Sequence, residues 1–410
     1  MITTDQLPKA LDTIGKVVGE SHVRSADLTE NPGGTVRAHE ARTVVWDGDR
    51  LSSRTIHPVH RDDSTVLEVV AAGICGTDLH VMTHSSLGRP DNALGLGHEI
   101  LGRVERMSPT TPVIGGGTVE VGDLVLVVPG TACGRCTMCL SFGAHEHLCP
   151  QRVVHGFSVF REDGAFPLGG FSTRMELAEG IAVVPVPSGM DVNRAVLGEL
   201  AAVAVRAVER ALGHGRPDIG MGTLVGGTAL VLGAGPVGAM VALVLTAAGL
   251  DVTVTETNMW RAKHASERLG LRVSLYESGR PWLDETVAAS PGGCGYDVVI
   301  ECGGVPQLFA DALVLARAGG RVVELGHFIP DGDVAVDPSV VCRKDLEVVG
   351  SVLAPPTSYP KALRLLARDD LAFDGVVTST LTLDGLTDLG LVLGERDYLK
   401  RVVHPNGRGE

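Results

Sequence analysis

Two kinds of hydrophobic patterning divide the chain. Between residues 42 and 186, short alternating or β-branched runs at 43–46, 65–70, 124–128 and 181–184 are separated by Gly and Pro, which predicts an irregular, mostly β domain. Near Val196 the pattern changes. Ala-rich periodicity over 200–212 predicts a helix, and strand-like runs at 229–232, 252–255, 297–300 and 321–325 then alternate with Gly-containing or helical sequence to about residue 343. That alternation predicts right-handed βαβ units in a parallel sheet, with ligands at the carboxyl ends of the strands. The tail over 346–403 begins strand-like, carries a helix at 359–368 and is expected to return to the first domain. The expected division is an N-terminal extension (1–38), a first domain (39–197 and 345–410) and a dinucleotide-type domain (198–344).

Composition narrows the class. At 410 residues, 44% apolar and with 53 glycines, the chain fits a two-domain globular α/β protein rich in tight turns. A formal net charge of −14 speaks against a nucleic-acid partner, because nothing concentrates enough positive charge to displace counterions. Residues 1–15 lack an apolar core of signal-peptide type, and 1–38 read as a weakly patterned extension, flexible or used at a subunit contact, with a turn at 31–34. The uncharged stretch 229–249 has about the length that spans a bilayer. Its interior Gly-x-Gly-Pro-x-x-Gly follows a β-type run and reads as buried strand, turn and helix, so a soluble, cytoplasmic protein without a membrane partner is expected.

The candidate chemistry lies in three places. Cys133, Cys136 and Cys139 stand at x-x spacings, and Cys149 follows after nine residues; four thiolates so spaced fit a tetrahedral, structural Zn2+ with no position left for substrate. His145 and His147, inside the longer gap, are alternative candidates for its last position, though solvated loop histidines are the commoner outcome. Upstream, Cys75 and His98 are ligands of the type that hold a second, open Zn2+. Downstream, Gly233, Gly235 and Gly238 follow an apolar run and open a helix through Pro236 and Val237, the cradle for a dinucleotide pyrophosphate. Glu256 ends the next strand 18 residues after Gly238, placed to accept ribose hydroxyls and repel a 2′-phosphate, which favours NAD over NADP. Arg261 tempers that preference, since a guanidinium suits either ribose or phosphate.

With these motifs on the page, the chain resembles the zinc-dependent medium-chain dehydrogenases, the family of alcohol, polyol and threonine dehydrogenases. The matching segments are residues 73–80 (GICGTDLH), 97–104 (GHEILGRV), 121–125 (VGDLV), the cysteine lobe, 170–173 (GFST), 233–238 (GAGPVG) and 344–350 (KDLEVVG), and the resemblance covers roughly 40–405. It implies a GroES-like, mostly β catalytic domain joined to a Rossmann doubly wound sheet. It also implies that Cys75 and His98 ligate a catalytic Zn2+, that Asp78 orients His98, and that Glu199 or Glu99 completes the metal. Thr77 and His80 match a proton relay. The implied reaction is reversible hydride transfer between NAD(H) and a secondary alcohol, such as a polyol or cyclitol, in a homodimer or homotetramer.

Two other readings stay open on the residues: a zinc-independent enone or quinone reductase on the same fold, and a non-enzymatic protein that binds a partner through its zinc lobe. The chain also departs from the family pattern. Leu200 stands where the acidic branch usually has Pro, and insertions near 114–117 and 157–168 lie where loops shape a pocket or subunit contact. Cys294, Cys302 and Cys342 read as packing residues.

Overall fold

The computed structural model describes residues 40–57, 63–83, 93–141, 146–159, 169–213, 227–328, 332–394 and 397–407. The extension at 1–38, His145 and the 157–168 insertion from residue 160 onward lie outside them.

The first domain opens with strands Ala41–Trp46 and Leu51–Ile56 of a small four-stranded sheet, and its larger sheet with the helix beside it is built from β1 (Val66–Gly73), α1 (Gly76–Thr83), β2 (Glu99–Arg106), β3 (Leu124–Val127) and β4 (Val183–Pro185). Helix α2 (Gly198–Leu212) leads out of it. The second domain then alternates strand and helix: β5 (Thr228–Leu232), α3 (Pro236–Ala247), β6 (Asp251–Glu256), α4 (Met259–Leu269), β7 (Arg272–Leu275), β8 (Tyr296–Glu301), β9 (Ala316–Glu324) and β10 (Glu347–Gly350). After α5 (Ser358–Leu366) the chain re-enters the first domain as β11 (Val377–Thr382) and β12 (Lys400–His404).

The main path of this larger sheet runs in the order β4-β3-β2-β1-β12-β11, antiparallel except for the last pair. Register decides what meets at one end of this sheet. Gly73 of β1 pairs with Glu99 of β2 and with Val402 of β12. Cys75 just beyond β1, His98 just before β2 and Lys400 at the start of β12 therefore converge.

The second sheet is wholly parallel, in the order β7-β6-β5-β8-β9-β10. The chain order reverses between β5 and β8, and that switch point opens the crevice in which such sheets bind ligands. Strand β5 is buried on both faces: Ala229 and Val231 join one apolar cluster, Leu230 and Leu232 another. Its continuation, α3, has 12 residues, roughly 18 Å of helix, and among the described residues no helix is long and apolar enough to cross a membrane. Glu347–Gly350 is the sixth strand of the parallel sheet, pairing with β9.

The start of β5 is anchored by Asp297 of β8, which accepts from the Thr228 backbone N–H at 2.7 Å and hydroxyl at 2.9 Å and from Arg317 Nε at 2.6 Å. Burial pushes its pKa up, but the Thr228 and Arg317 hydrogen bonds outweigh this and hold it below the ordinary value. Such a depressed carboxylate stabilises the fold above the unfolded pKa and loses that contribution as pH falls through the native one. Asp297→Ala is expected to cost about 1–3 kcal/mol at neutral pH. In urea unfolding, the gap to the parent protein should close below about pH 3.9, the ordinary Asp pKa.

Candidate active site

Residues expected to cradle a dinucleotide lie at the C-end of β5. Gly233 has φ +100°, a left-handed conformation that a side chain resists, and a Cβ on Gly238 would overlap the Gly233 carbonyl oxygen. Gly235 caps α3, with Pro236 and Val237 opening the first turn, and its Cα faces space bordered by Arg261 Nη1 at 4.0 Å from an added Cβ. Orphaned N–H groups at that helix start suit an anion. Glu256 ties the cradle together: Oε2 accepts from Ala234 N–H at 2.9 Å, and Oε1 from Thr257 and Asn258 N–H at 2.8 Å each. Its carboxylate thus sits against the fingerprint turn, with Arg261 two residues into α4 on the other side of it. Arg261 Nε is buried without a hydrogen-bond partner.

At the converging end of the first sheet, ligand atoms of Cys75, His98 and Glu99 lie within 4.8 Å of one another. Asp78, fully buried on α1, accepts from Cys75 N–H at 2.9 Å and Gly97 N–H at 3.1 Å, so one carboxylate clips together the two loops that carry Cys75 and His98. Its Oδ1 is 3.8 Å from His98 Nδ1. Thr77 Oγ1 lies 3.7 Å from Cys75 Sγ, and His80 is half-buried one turn along the same helix. Glu199, buried in the first turn of α2, falls outside the 4.8 Å set.

The electrostatics of this cluster call for a cation. Burial works against a charged His98, yet the Cys75 thiolate, Asp78 and Glu199 outweigh it and push its pKa up to about 10. Burial raises Glu199 to about 7, with Glu99 and Asp78 adding and His98 and Lys400 opposing. Glu99 Oε2 has no hydrogen-bond partner, and a Cβ on Gly73 would overlap it. A cysteine sulfur, an imidazole and a carboxylate with an unpartnered oxygen, gathered at one sheet end, form a donor set that fits Zn2+.

Sequence reasoning missed Lys400. Nearly fully buried, its ammonium donates to Glu99 Oε1 at 2.5 Å and to the Ile74 carbonyl at 2.8 Å. In sequence it opens an apolar strand beside Arg401 and reads as a surface basic pair; only the pairing of β12 on β1 reveals it.

The four lobe cysteines are free and gathered within 4.8 Å. Their Sγ atoms are 3.5 Å (Cys136–Cys139), 3.8 Å (Cys136–Cys149) and 4.0 Å (Cys133–Cys139) apart. Disulfides need ~2.05 Å, whereas a tetrahedron with Zn–S bonds of ~2.3 Å has edges of about 3.8 Å. Backbone N–H groups of Arg135 and then Cys136 lower the Cys133 thiol to about 6, favouring the thiolate that a metal binds. His147 is buried nearby but is not part of the set.

Known proteins align with this architecture. Residues 61–188 match the alcohol dehydrogenase GroES-like domain family and residues 236–368 the zinc-binding dehydrogenase family. L-galactonate-5-dehydrogenase of Escherichia coli (strain K12) is 27% identical over 366 residues, covering 89% of this chain and 96% of that protein. Sorbitol dehydrogenase of Bacillus subtilis (strain 168) is 26% identical over 350 residues, 84% and 91% of the two chains. An alcohol dehydrogenase structure from Thermotoga maritima superposes with a TM-score of 0.77 at 22% identity, covering 90% of this chain and all of that one. The chain belongs to the zinc-dependent medium-chain dehydrogenase family, alcohol-acting oxidoreductases that join a GroES-like domain to a Rossmann-like parallel sheet.

Proposed function

We propose that the protein is a zinc- and NAD-dependent dehydrogenase that oxidises a secondary hydroxyl of a polyol, cyclitol or related metabolite. The observation that carries this reading is the gathering of Cys75, His98 and Glu99 at one sheet end in a chain that also holds a complete dinucleotide cradle. Cys75 and His98, with Glu99 or Glu199, would hold a Zn2+ that acts as a Lewis acid on a bound alcohol oxygen. The lobe cysteines would hold a second, structural Zn2+. Asp78 keeps the two ligand loops in register, so that the donors are preorganised. Thr77 takes the substrate hydroxyl proton, and His80, one turn on, carries it to solvent. The turn at 233–238 would hold the pyrophosphate of a nicotinamide dinucleotide, which would supply the hydride acceptor.

A quinone or enone reductase needs no Lewis acid, so the intact cluster disfavours it. The test is NADH formation by zinc-loaded protein across polyols, cyclitols, amino alcohols and simple secondary alcohols, with NADP in parallel. Chelator-sensitive activity on polyhydroxylated substrates with NAD preferred is the expected result; chelator-insensitive reduction of quinones would overturn it. Glu256→Gln keeps one acceptor oxygen, enough for the Thr257 and Asn258 N–H groups but not also for Ala234, and removes the charge that repels a 2′-phosphate. The kcat/KM ratio for NADP over NAD should rise about tenfold, the worth of ~1.4 kcal/mol, and an unchanged ratio would remove Glu256 from cofactor choice.

A further inference from the structure

A third cluster lies at the carboxyl ends of β8 and β9, beside the dinucleotide turn: a Cβ on Gly233 would stand 3.2 Å from Gly303, two residues beyond Glu301. Parallel register pairs Glu301 with Glu324, which puts both side chains on the same face of the sheet. His327, three residues on, folds back over them: Nδ1 is 2.8 Å from Glu324 Oε1 and 3.6 Å from Glu301 Oε2. One ligand atom from each of the three lies within 4.8 Å of the others.

The site is built as well as gathered. Glu301 is fully buried, and its Oε1 accepts from Gly303 N–H at 2.7 Å and Gly304 N–H at 2.9 Å. That pair of bonds fixes the carboxylate and turns Oε2 toward the histidine, where it has no hydrogen-bond partner. A Cβ on Gly326 would overlap this oxygen, so glycine there leaves it room. Glu324 Oε2 and His327 Nε2 are likewise buried and unpartnered. Two carboxylates side by side in a buried setting repel, which either a shared proton or a cation between them relieves.

We propose that Glu301, Glu324 and His327 bind a divalent transition-metal ion of the Zn2+ or Mn2+ class. Two carboxylate oxygens and one imidazole nitrogen are a borderline-to-hard donor set, unlike the thiolate-bearing sites elsewhere in the chain. Ligand atoms around a tetrahedral ion with ~2.0–2.1 Å bonds stand about 3.3–3.4 Å apart, and the 2.8 and 3.6 Å separations bracket that spacing. Side chains of Glu324 and His327 are 24% and 20% exposed, which gives the ion a way in. The ion stands independently of the alcohol reading, since none of its ligands belongs to that machinery.

The test uses the full-length protein, stripped of metal and titrated with Mn2+ under electron paramagnetic resonance. Mn2+ prefers oxygen and nitrogen over thiolate donors. One tightly bound Mn2+ per chain is expected in the parent protein and none in His327→Gln or Glu324→Gln, with Zn2+ reloading likewise giving one equivalent fewer in both variants. Far-ultraviolet circular dichroism and urea denaturation report whether the variants fold; if one does not, the parent count decides alone. A parent protein that binds no Mn2+ and holds no more Zn2+ than the variants would overturn the proposal, leaving a histidine that shares a proton with two carboxylates.

Discussion

Replacing Cys75 by serine is expected to abolish alcohol oxidation while leaving NADH binding intact. Serine keeps the size of the side chain but offers a neutral hydroxyl where the cluster has a thiolate, so a soft donor is lost at the heart of the set formed with His98 and Glu99. Lewis-acid stabilisation of a developing alkoxide is worth several kcal/mol, and each ~1.4 kcal/mol is a factor of ten. The expected fall in kcat/KM is on the order of a thousandfold or more. Metal content should drop by one equivalent per chain, and NADH fluorescence titration should be unchanged, because the cradle at 233–238 sits on the other sheet. A Cys75→Ser enzyme with full activity would sink the proposed mechanism.

Removing the Lys400 ammonium is expected to be the most damaging single change to stability. Lys400 and Glu99 form an ion pair with both side chains almost wholly out of water. Burial alone would lower the Lys400 pKa, yet Glu99, Cys75 and Glu199 outweigh it and raise it, so the lysine stays charged. Lys400→Met therefore strands a buried carboxylate, a loss of about 3–5 kcal/mol. The double variant Glu99→Gln with Lys400→Met should recover part of it, because it takes away the orphaned charge together with its partner. Chemical denaturation of the four proteins of this cycle measures the coupling; additive losses would show that the two groups do not act as a pair.

How much of this was readable in the sequence depends on where a residue's partners come from. Strands β5 and β8 were legible because both faces are covered and their central positions, 229–232 and 298–300, are apolar and buried. Edge strand β10 was read as the strand-like start of the tail, but edge strand β7 was not: RVSL is half polar and exposed at both ends, and such a short run looks like loop. The ligand spacings of the cysteine lobe are local, so the sequence shows them directly. Cys75 and His98 are 23 positions apart and were found by their flanking glycines and by family likeness. Lys400 sits 301 positions from Glu99, and no local signal marks it. Glu301 and Glu324 each read as a solvated strand-end acid; parallel pairing of β8 with β9 makes them neighbours.

Helix α2 starts with Glu199 beside the ligand cluster and ends where Arg321 of β9 donates to the carbonyls of Arg210 and Ala211. Its 15 residues make a strut about 22 Å long. In the proposed reaction, donor and acceptor carbons must meet at roughly 3–3.5 Å, while one is held by the first sheet and the other by the second. The strut is thus a gauge that sets the gap between two separately built half-sites. Bulk added along its buried alanine face, at Ala204, Ala207 or Ala211, would tilt one half against the other and slow turnover with metal content and dinucleotide affinity unaltered.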